Sequence, residues 1–251
     1  MIEAQNLSLE YGNKTVLRSL NLSFSPGEIT VLIGANGCGK STLLRALAGL
    51  QVPSDGEVLL NGRLISVLAR KEIAKEIGYL SQSPQAPEGI TVRQLVEHGA
   101  FARSPLFRRP DPRDIDQALD RVNLLAFAER PFDSLSGGER QRAWIALVLL
   151  QSPKMLLLDE PTSFLDLGYR VDILRLIEEL KAERGLGVIM VLHDMNEVLR
   201  FADRVVALHS GRVLRDGGKD VIDPGLLETL FQAEVSLERA QGAKVFVVPH
   251  W

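Results

Sequence analysis

"ITVLIGANGCGKSTLLRALAGL", Ile29–Leu50, decides the fold. It opens on a short apolar run bounded by glycine, which reads as a buried β-strand, and closes on leucines at helical spacing, with Gly49 where a C-terminal cap belongs. Between them "GANGCGKST", Gly34–Thr42, fits G-x-x-x-x-G-K-[ST] and sits in the strand–loop–helix context that this pattern requires. Chance would produce those residues in about one chain in a hundred of this length. The chemistry follows from the residue types. Gly34, Gly37 and Gly39, with Asn36, Cys38 and Thr42 beside them, let backbone N–H groups converge on phosphate oxygens, and the helix start adds partial positive charge. Lys40 supplies a point charge to the β and γ phosphates, and Ser41 suits Mg²⁺. The loop is therefore read as a nucleotide cradle and not as a plain tight turn. Cys38 is either a small space-filling residue or a thiol whose alkylation blocks nucleotide binding.

Working outward, "IEAQNLSLEY", "VLRSLNLSFSPGE" and "GEVLLNG" read as β segments punctuated by Gly, Pro and Asn. From Gln85 to Leu150 the character turns helical: "TVRQLVEHGAF", "DIDQALDRVNLLAFAER" and "ERQRAWIALVLLQ", joined by the basic link "SPLFRRPDPRD". Afterwards "KMLLLDEP", "GVIMVLHD" and "RVVALHSGRVL" are apolar strands, the first two separated by the helix "LGYRVDILRLIEELKAERG". That alternation argues for right-handed crossovers and a mostly parallel sheet. The tail reads as a helix followed by a hairpin. The fold class is thus α/β, a P-loop core with an N-terminal antiparallel β subdomain and an inserted helical subdomain; residues 1–84 and 150–251 form the nucleotide-binding core and 85–149 the insert.

Composition narrows the function classes. The 251 residues, 45% hydrophobic and 24% charged, suffice for one large core or two unequal ones. No apolar run approaches the ~20 residues of a membrane span, and the start shows no basic, then apolar, signal. One cysteine rules out a disulfide framework and suits a reducing compartment, so a cytoplasmic location is expected. A formal charge of -3 gives nucleic acid no general attraction, so no nucleic-acid partner is expected.

In "KMLLLDEPTSFLD" an apolar run ends in Asp159 and Glu160, at the strand end where open α/β sheets bind ligands. Asp159 suits Mg²⁺ held through water, and Glu160 suits a base that orients or polarises an attacking water. Neighbouring strand residues point apart, so the two acids take different tasks. "VIMVLHD" should lie beside that strand, and its His193 is placed to donate to the γ-phosphate or hold the water in line. Gln82, closing "IGYLSQ", is within reach of the metal or the water and starts the insert.

"LSGGERQR", Leu135–Arg142, puts two glycines at the mouth of a strongly apolar helix, where backbone N–H groups lack partners. The order of these segments, "GANGCGKST", Gln82, "LSGGERQR", "MLLLDEP", "SFLD" and His193, resembles the ATP-binding-cassette (ABC) ATPase family along essentially the whole chain. The resemblance implies two such domains packed head to tail, each ATP held between the phosphate loop of one copy and the signature loop of the other. Ser136, Gly137, Gly138 and Glu139 then look like a second anion cradle for the partner copy's nucleotide. Asp166 would belong to the loop that communicates across the dimer, and Tyr11 would stack on adenine. Ala35 and Glu139 depart from the commonest pattern, Pro and Gln, with little damage expected.

Within the family, these stretches look most like the ATPase subunits of importers for ferric siderophores, haem and vitamin B12. That implies polytopic membrane permease subunits docking beside Gln82 and the insert, with residues near Gln85 to Phe107 in the groove, and an extracytoplasmic substrate-binding protein engaged indirectly. The chain would then lie peripherally on the inner face of the membrane. The arginines at 103, 108, 109 and 113 mark a solvated basic link or face a partner or acidic lipid. Two rivals remain open: a soluble ATP-driven clamp of the same fold, and a P-loop kinase or guanine-nucleotide switch, the latter lacking its N-K-x-D motif here.

Overall fold

The computed structural model describes residues 1–12, 14–102, 110–239 and 245–249. The chain opens with two long strands, β1 (Ile2–Tyr11) and β2 (Lys14–Phe24), which alternate buried and exposed positions and pair antiparallel. β3 (Ile29–Ile33) is buried at every residue, as a central parallel strand must be, and leads through the glycine loop into α1 (Lys40–Leu47). Gly49, at φ +70°, ends that helix, its N–H bonded to Ala46 O. β4 (Asp55–Leu60) pairs with β1, and the short β5 (Arg63–Leu64) completes a four-stranded antiparallel sheet in the order β2-β1-β4-β5. α2 (Arg70–Glu76) then feeds β6 (Ile77–Leu80).

Three helices follow before the chain returns to the sheet: α3 (Val92–Glu97), α4 (Pro112–Arg121) and α5 (Gly137–Leu150). Two are shorter than the sequence pattern suggests. α3 passes into a 3₁₀ turn over His98–Ala102, where the backbone of α5 comes so close that a Cβ at Gly99 would lie 2.0 Å from Leu147 O. α4 stops at Arg121 because Asn123 takes the left-handed conformation, φ +56°, and a 3₁₀ turn at Leu125–Phe127 follows. Arg113 is exposed in the first turn of α4; the arginines at 103, 108 and 109, and the far end of the expected permease groove, lie outside the described residues.

The core resumes with β7 (Met155–Leu158), α6 (Leu167–Arg184), β8 (Gly187–Val191), α7 (Met195–Phe201), β9 (Arg204–His209) and β10 (Arg212–Gly217). α8 (Pro224–Phe231) and a hairpin of β11 (Val235–Arg239) and β12 (Val245–Pro249) close the chain, as the tail pattern suggests. The second sheet runs β10-β9-β3-β8-β7-β6; all its pairs are parallel except the edge pair β10–β9. The expected α/β class with an antiparallel N-terminal sheet and a helical excursion between β6 and β7 is therefore what forms.

Two apolar layers hold these parts together. One joins the lower face of the parallel sheet to the helical excursion, through Val92, Leu95, Leu119, Ala146 and Leu158. The other packs α1 and the antiparallel sheet onto the opposite face, through Leu7, Leu17, Leu43, Leu47 and Val191. Each buried leucine contributes about 1.5–3 kcal/mol of transfer free energy, so the strand ends that carry polar groups rest on a rigid base. Among the described residues no helix is long and apolar enough to cross a membrane.

Candidate functional site

Parallel strands β3, β7 and β8, with β6 at the edge, end along one rim of the sheet, and the polar side chains singled out above stand there. The glycine loop wraps the start of α1. Gly34, Gly37 and Gly39 all have positive φ, and Asn36 and Gly37 form its exposed tip. At Gly39, φ +109°, a Cβ would lie 2.4 Å from Leu17 Cδ2, so only glycine brings the loop down to the helix mouth. The first turn of α1 has no acidic residue, leaving its N–H groups and positive dipole end undiminished for an anion. Lys40 is 6% exposed, and its Nζ donates to Gly34 O at 2.7 Å and Ala35 O at 3.0 Å. Cys38 is buried against Gly34, with Sγ 3.9 Å from Lys40 Nζ. Thr42 follows in the same turn, partly buried.

Ser41 Oγ donates to Asp159 Oδ1 at 2.9 Å, joining the helix mouth to the end of β7. Asp159 is 2% exposed, and its N–H bonds Leu80 O, extending the ladder by one residue. Burial pushes its carboxyl above the ordinary range, with Glu160 adding to that and Ser41 and Lys40 opposing it. A hydroxyl and a carboxylate are hard oxygen donors of the kind Mg²⁺ takes. Among the described residues no cluster of three or more His, Cys, Asp or Glu could hold a metal ion.

Glu160 leaves the strand with φ +53°, so its divergence from Asp159 comes from this backbone reversal and not from strand alternation. Three donors converge on its carboxylate: Gln82 Nε2 at 2.7 Å and Ser163 Oγ at 2.8 Å on Oε2, while His193 Nε2 lies 2.7 Å from Oε1. Burial alone would raise its proton affinity, but the bonds from His193 and Ser163 and the charge of Lys40 outweigh burial and hold it below the usual range. Glu160 therefore stays ionised near neutrality, as a base must. β6 and β8 flank β7 in parallel register, which brings Gln82 and His193 to Glu160, whereas the sequence pattern directs them toward the metal, the water or the γ-phosphate. Ser163 was not anticipated; its N–H bonds Glu160 O at 3.2 Å in a tight turn across Pro161, which returns its hydroxyl to the carboxylate.

The signature residues sit elsewhere, against the start of α6. Gly138 faces the Tyr169 ring, and Gly137 lies near Leu165. Ser136 caps α5, and Glu139 is no bystander: its Oε2 accepts from Ser136 N at 2.7 Å, and its N–H reaches Ser136 Oγ at 3.4 Å. These bonds lower the Glu139 carboxyl below its ordinary range. Asp166 precedes α6, exposed and with no cap bond from its side chain. Tyr11 ends β1, 45% exposed, with its hydroxyl 3.4 Å from Gln51 Oε1. Within the chain, then, one cluster gathers Lys40, Ser41, Gln82, Asp159, Glu160, Ser163 and His193, and a second, separate one gathers Ser136–Glu139 beside Leu165 and Tyr169.

A family model described as "ABC transporter" matches residues 17–163. The iron(3+)-hydroxamate import ATP-binding protein FhuC of Bacillus subtilis (strain 168) is 41% identical over 240 residues, covering 94% of this chain and 89% of its own. The ferric enterobactin transport ATP-binding protein FepC of Escherichia coli (strain K12) is 41% identical over 234 residues, covering 92% and 86%. Among solved structures, the dimeric ATP-binding cassette MJ0796, in a post-hydrolysis state bound to ADP and Pi, superposes with a TM-score of 0.77 at 29% identity, covering 87% of this chain and 99% of its own.

Proposed function

The chain belongs to the ABC transporter family, and from that premise we propose that it is the ATPase subunit that energises import of a ferric siderophore or a related iron chelate. Two relatives with those cargoes in their names support the reading along nearly their whole length. ATP is the substrate. The observation that carries the mechanism is the Glu160 carboxylate, bonded by Gln82 and His193 from the ends of the two neighbouring strands and standing beside the Ser41–Asp159 pair.

Each residue then has a task. The loop N–H groups and Lys40 bind and orient the phosphates, and Tyr11 lies against the base. Ser41 and Asp159 would hold Mg²⁺, with Gln82 Oε1 as a further oxygen; when bound, the ion neutralises phosphate charge. Glu160 takes the proton of the attacking water, and His193 holds water and γ-phosphate in line. Phosphoryl transfer needs mainly such positioning and charge stabilisation. Ser136, Gly137 and Gly138 serve a second copy's nucleotide, in keeping with the dimeric assembly of MJ0796, and Asp166 lies on the segment between the two sites. ATP drives closure only if the closed pair binds it better than the open one. Residues 85–149 form the subdomain beside which polytopic permease subunits dock, placing the chain on the inner face of the membrane; a substrate-binding protein outside engages them.

Mixing two defective chains tests the shared site. Lys40→Ala and Gly137→Asp chains, each inactive alone, should together regain one working site per mixed dimer. No recovery at any ratio, with both chains folded and associating, rejects it. Co-purification with a polytopic membrane protein tests the importer assignment, and a solely soluble complex rejects it.

A further inference from the structure

Beneath the Glu160–His193 contact lies a charged group that the roles above do not use. Arg170, in the first turn of α6, directs one guanidinium nitrogen to Asp194 Oδ2 at 3.1 Å and to Glu197 Oε1 at 2.7 Å. Glu197 is 9% exposed, and its second oxygen accepts from Thr162 Oγ1 at 3.3 Å. Asp194 follows His193 directly and caps α7, its Oδ1 accepting from Asn196 N at 2.8 Å and Glu197 N at 3.4 Å. Thr162 lies in the turn that returns Ser163 to Glu160. Glu160, Ser163, Arg170 and His193 line a common cavity of about 210 Å³.

We propose that Arg170 is a positioning residue for the reacting centre: by gripping Asp194 and Glu197 together it fixes the loop that carries His193 against the loop that carries Glu160. A carboxylate as buried as Glu197 is costly unless paired, and Arg170 is the cation within bonding distance of it. Burial pulls the Glu197 proton affinity up and Asp194 adds to that, while Arg170 and Thr162 oppose them. Removing the guanidinium leaves two carboxylates near each other at the start of α7 and releases both from α6, so that turn, and His193 with it, is no longer held in place, whether or not Glu197 takes up a proton. Since α6 follows directly on Asp166, the same ion pair makes the position of His193 depend on where that segment sits. The inference rests on the assignment of Glu160 and His193 above.

The test compares wild type, Arg170→Gln, the double variant Arg170→Gln/Glu197→Gln, and His193→Ala, each screened for cooperative melting. The readouts are kcat, KM for ATP, the number of ATP sites and the ¹³C-imidazole signal of His193 at constant pH. With four histidines in the chain, the His193→Ala spectrum assigns that signal. Arg170→Gln should lower kcat about 10- to 100-fold, as misplacement of a reacting group by up to about 1 Å does. KM and ATP stoichiometry should stay within about threefold, and of the four histidine signals only that of His193 should shift. Should the single variant fail to fold, the double variant, which removes the repulsion between the two carboxylates but also lacks the grip, carries the test: kcat and the His193 signal should move in the same direction by a smaller amount. Wild-type turnover in a folded variant, an unmoved His193 signal, or a kcat loss matched by loss of ATP sites overturns the proposal. A His193→Ala chain that turns over normally overturns instead the assignment on which it rests.

Discussion

Glu160→Gln isolates the loss of a base from the loss of a scaffold. The carboxylate accepts from Gln82 and Ser163 on one oxygen and meets His193 on the other. A glutamine can keep its carbonyl toward Gln82 and Ser163 and turn its NH₂ toward His193 Nε2, which becomes an acceptor by taking the other neutral tautomer. The network survives with weaker, uncharged bonds, at a cost of about 1 kcal/mol. Alanine would instead strand three polar groups and confuse the result. A general base is worth about 100- to 10,000-fold, or about 3–5 kcal/mol of activation free energy, so kcat should fall by that factor. ATP affinity should change little, because Lys40, Ser41 and the loop are untouched, and ATP-bound chains should accumulate as dimers. Single-turnover hydrolysis at saturating ATP, paired with sedimentation, measures both. A fall of less than about tenfold in the chemical step would refute Glu160 as the base, and loss of ATP binding in proportion to turnover would show that it holds nucleotide.

Lys40→Ala removes a buried charge whose bonds to phosphate are charge-assisted; at about 1.5–3 kcal/mol, ATP affinity should drop about 10- to 150-fold by calorimetry. Ser136→Ala should leave ATP binding to the isolated chain intact while turnover falls; an equal loss of monomer binding would put the signature loop in its own chain's pocket. In Gly138→Ala the new Cβ would lie 2.4 Å from Tyr169 Cδ1, so the ring or the helix that carries it must shift, costing about 1–3 kcal/mol in denaturant melts, and adding Tyr169→Ala should recover part of the loss. At Asp203, burial raises proton affinity, but Lys181 and the Ile29 N–H outweigh it and the carboxyl lies below its usual range. Its stabilisation is therefore full above the unfolded-state value and fades as pH falls through the lower folded one, so Asp203→Asn should destabilise at neutral pH and converge on wild type in acid; a constant gap from pH 7 to below about 4 rejects this.

How much of this was legible depended on the distance along the chain over which each signal acts. β3, its glycine loop and α1 are contiguous, and each element states its own conformation: apolar run, glycines, leucines at helical spacing. β7 and β8 were legible because buried parallel strands are apolar throughout and end abruptly in acids. Ser163 was hidden because the turn that returns it to the carboxylate starts from a positive φ at Glu160, which that residue type does not announce. Arg170 and Glu197 sit 27 positions apart on different helices, and each alone looks like an ordinary solvated charge. Glu139 is the instructive miss. Ser-x-x-Glu before a helix is a capping box that the sequence displays, and the carboxylate, unlike the commoner glutamine, also brings a negative charge to the helix mouth.

The pairings also bear on why one chain is not enough. Lys40 is bonded to its own loop, Ser41 to Asp159, and Gln82, Ser163 and His193 to Glu160, so phosphate contacts within one chain replace existing bonds and do not simply add to them. Exchanging one hydrogen bond for another is worth only about 1 kcal/mol net, and such gains are the same whether a second copy is near or far. A ligand that binds two states equally shifts nothing between them. In the proposed mechanism the differential comes from donors that reach the phosphate only when two copies meet, and the Ser136–Gly138 helix mouth offers such donors, since its first N–H groups lack helical acceptors. Glu139 tempers it, since its carboxylate already neutralises part of that positive end. Glu139→Gln keeps the capping box and removes the charge, so it should lower melting slightly and lower the ATP concentration at which an otherwise Glu160→Gln chain dimerises, most clearly at low salt. Dimerisation at the same or a higher ATP concentration would mean that the charge plays no part in the encounter of the two copies.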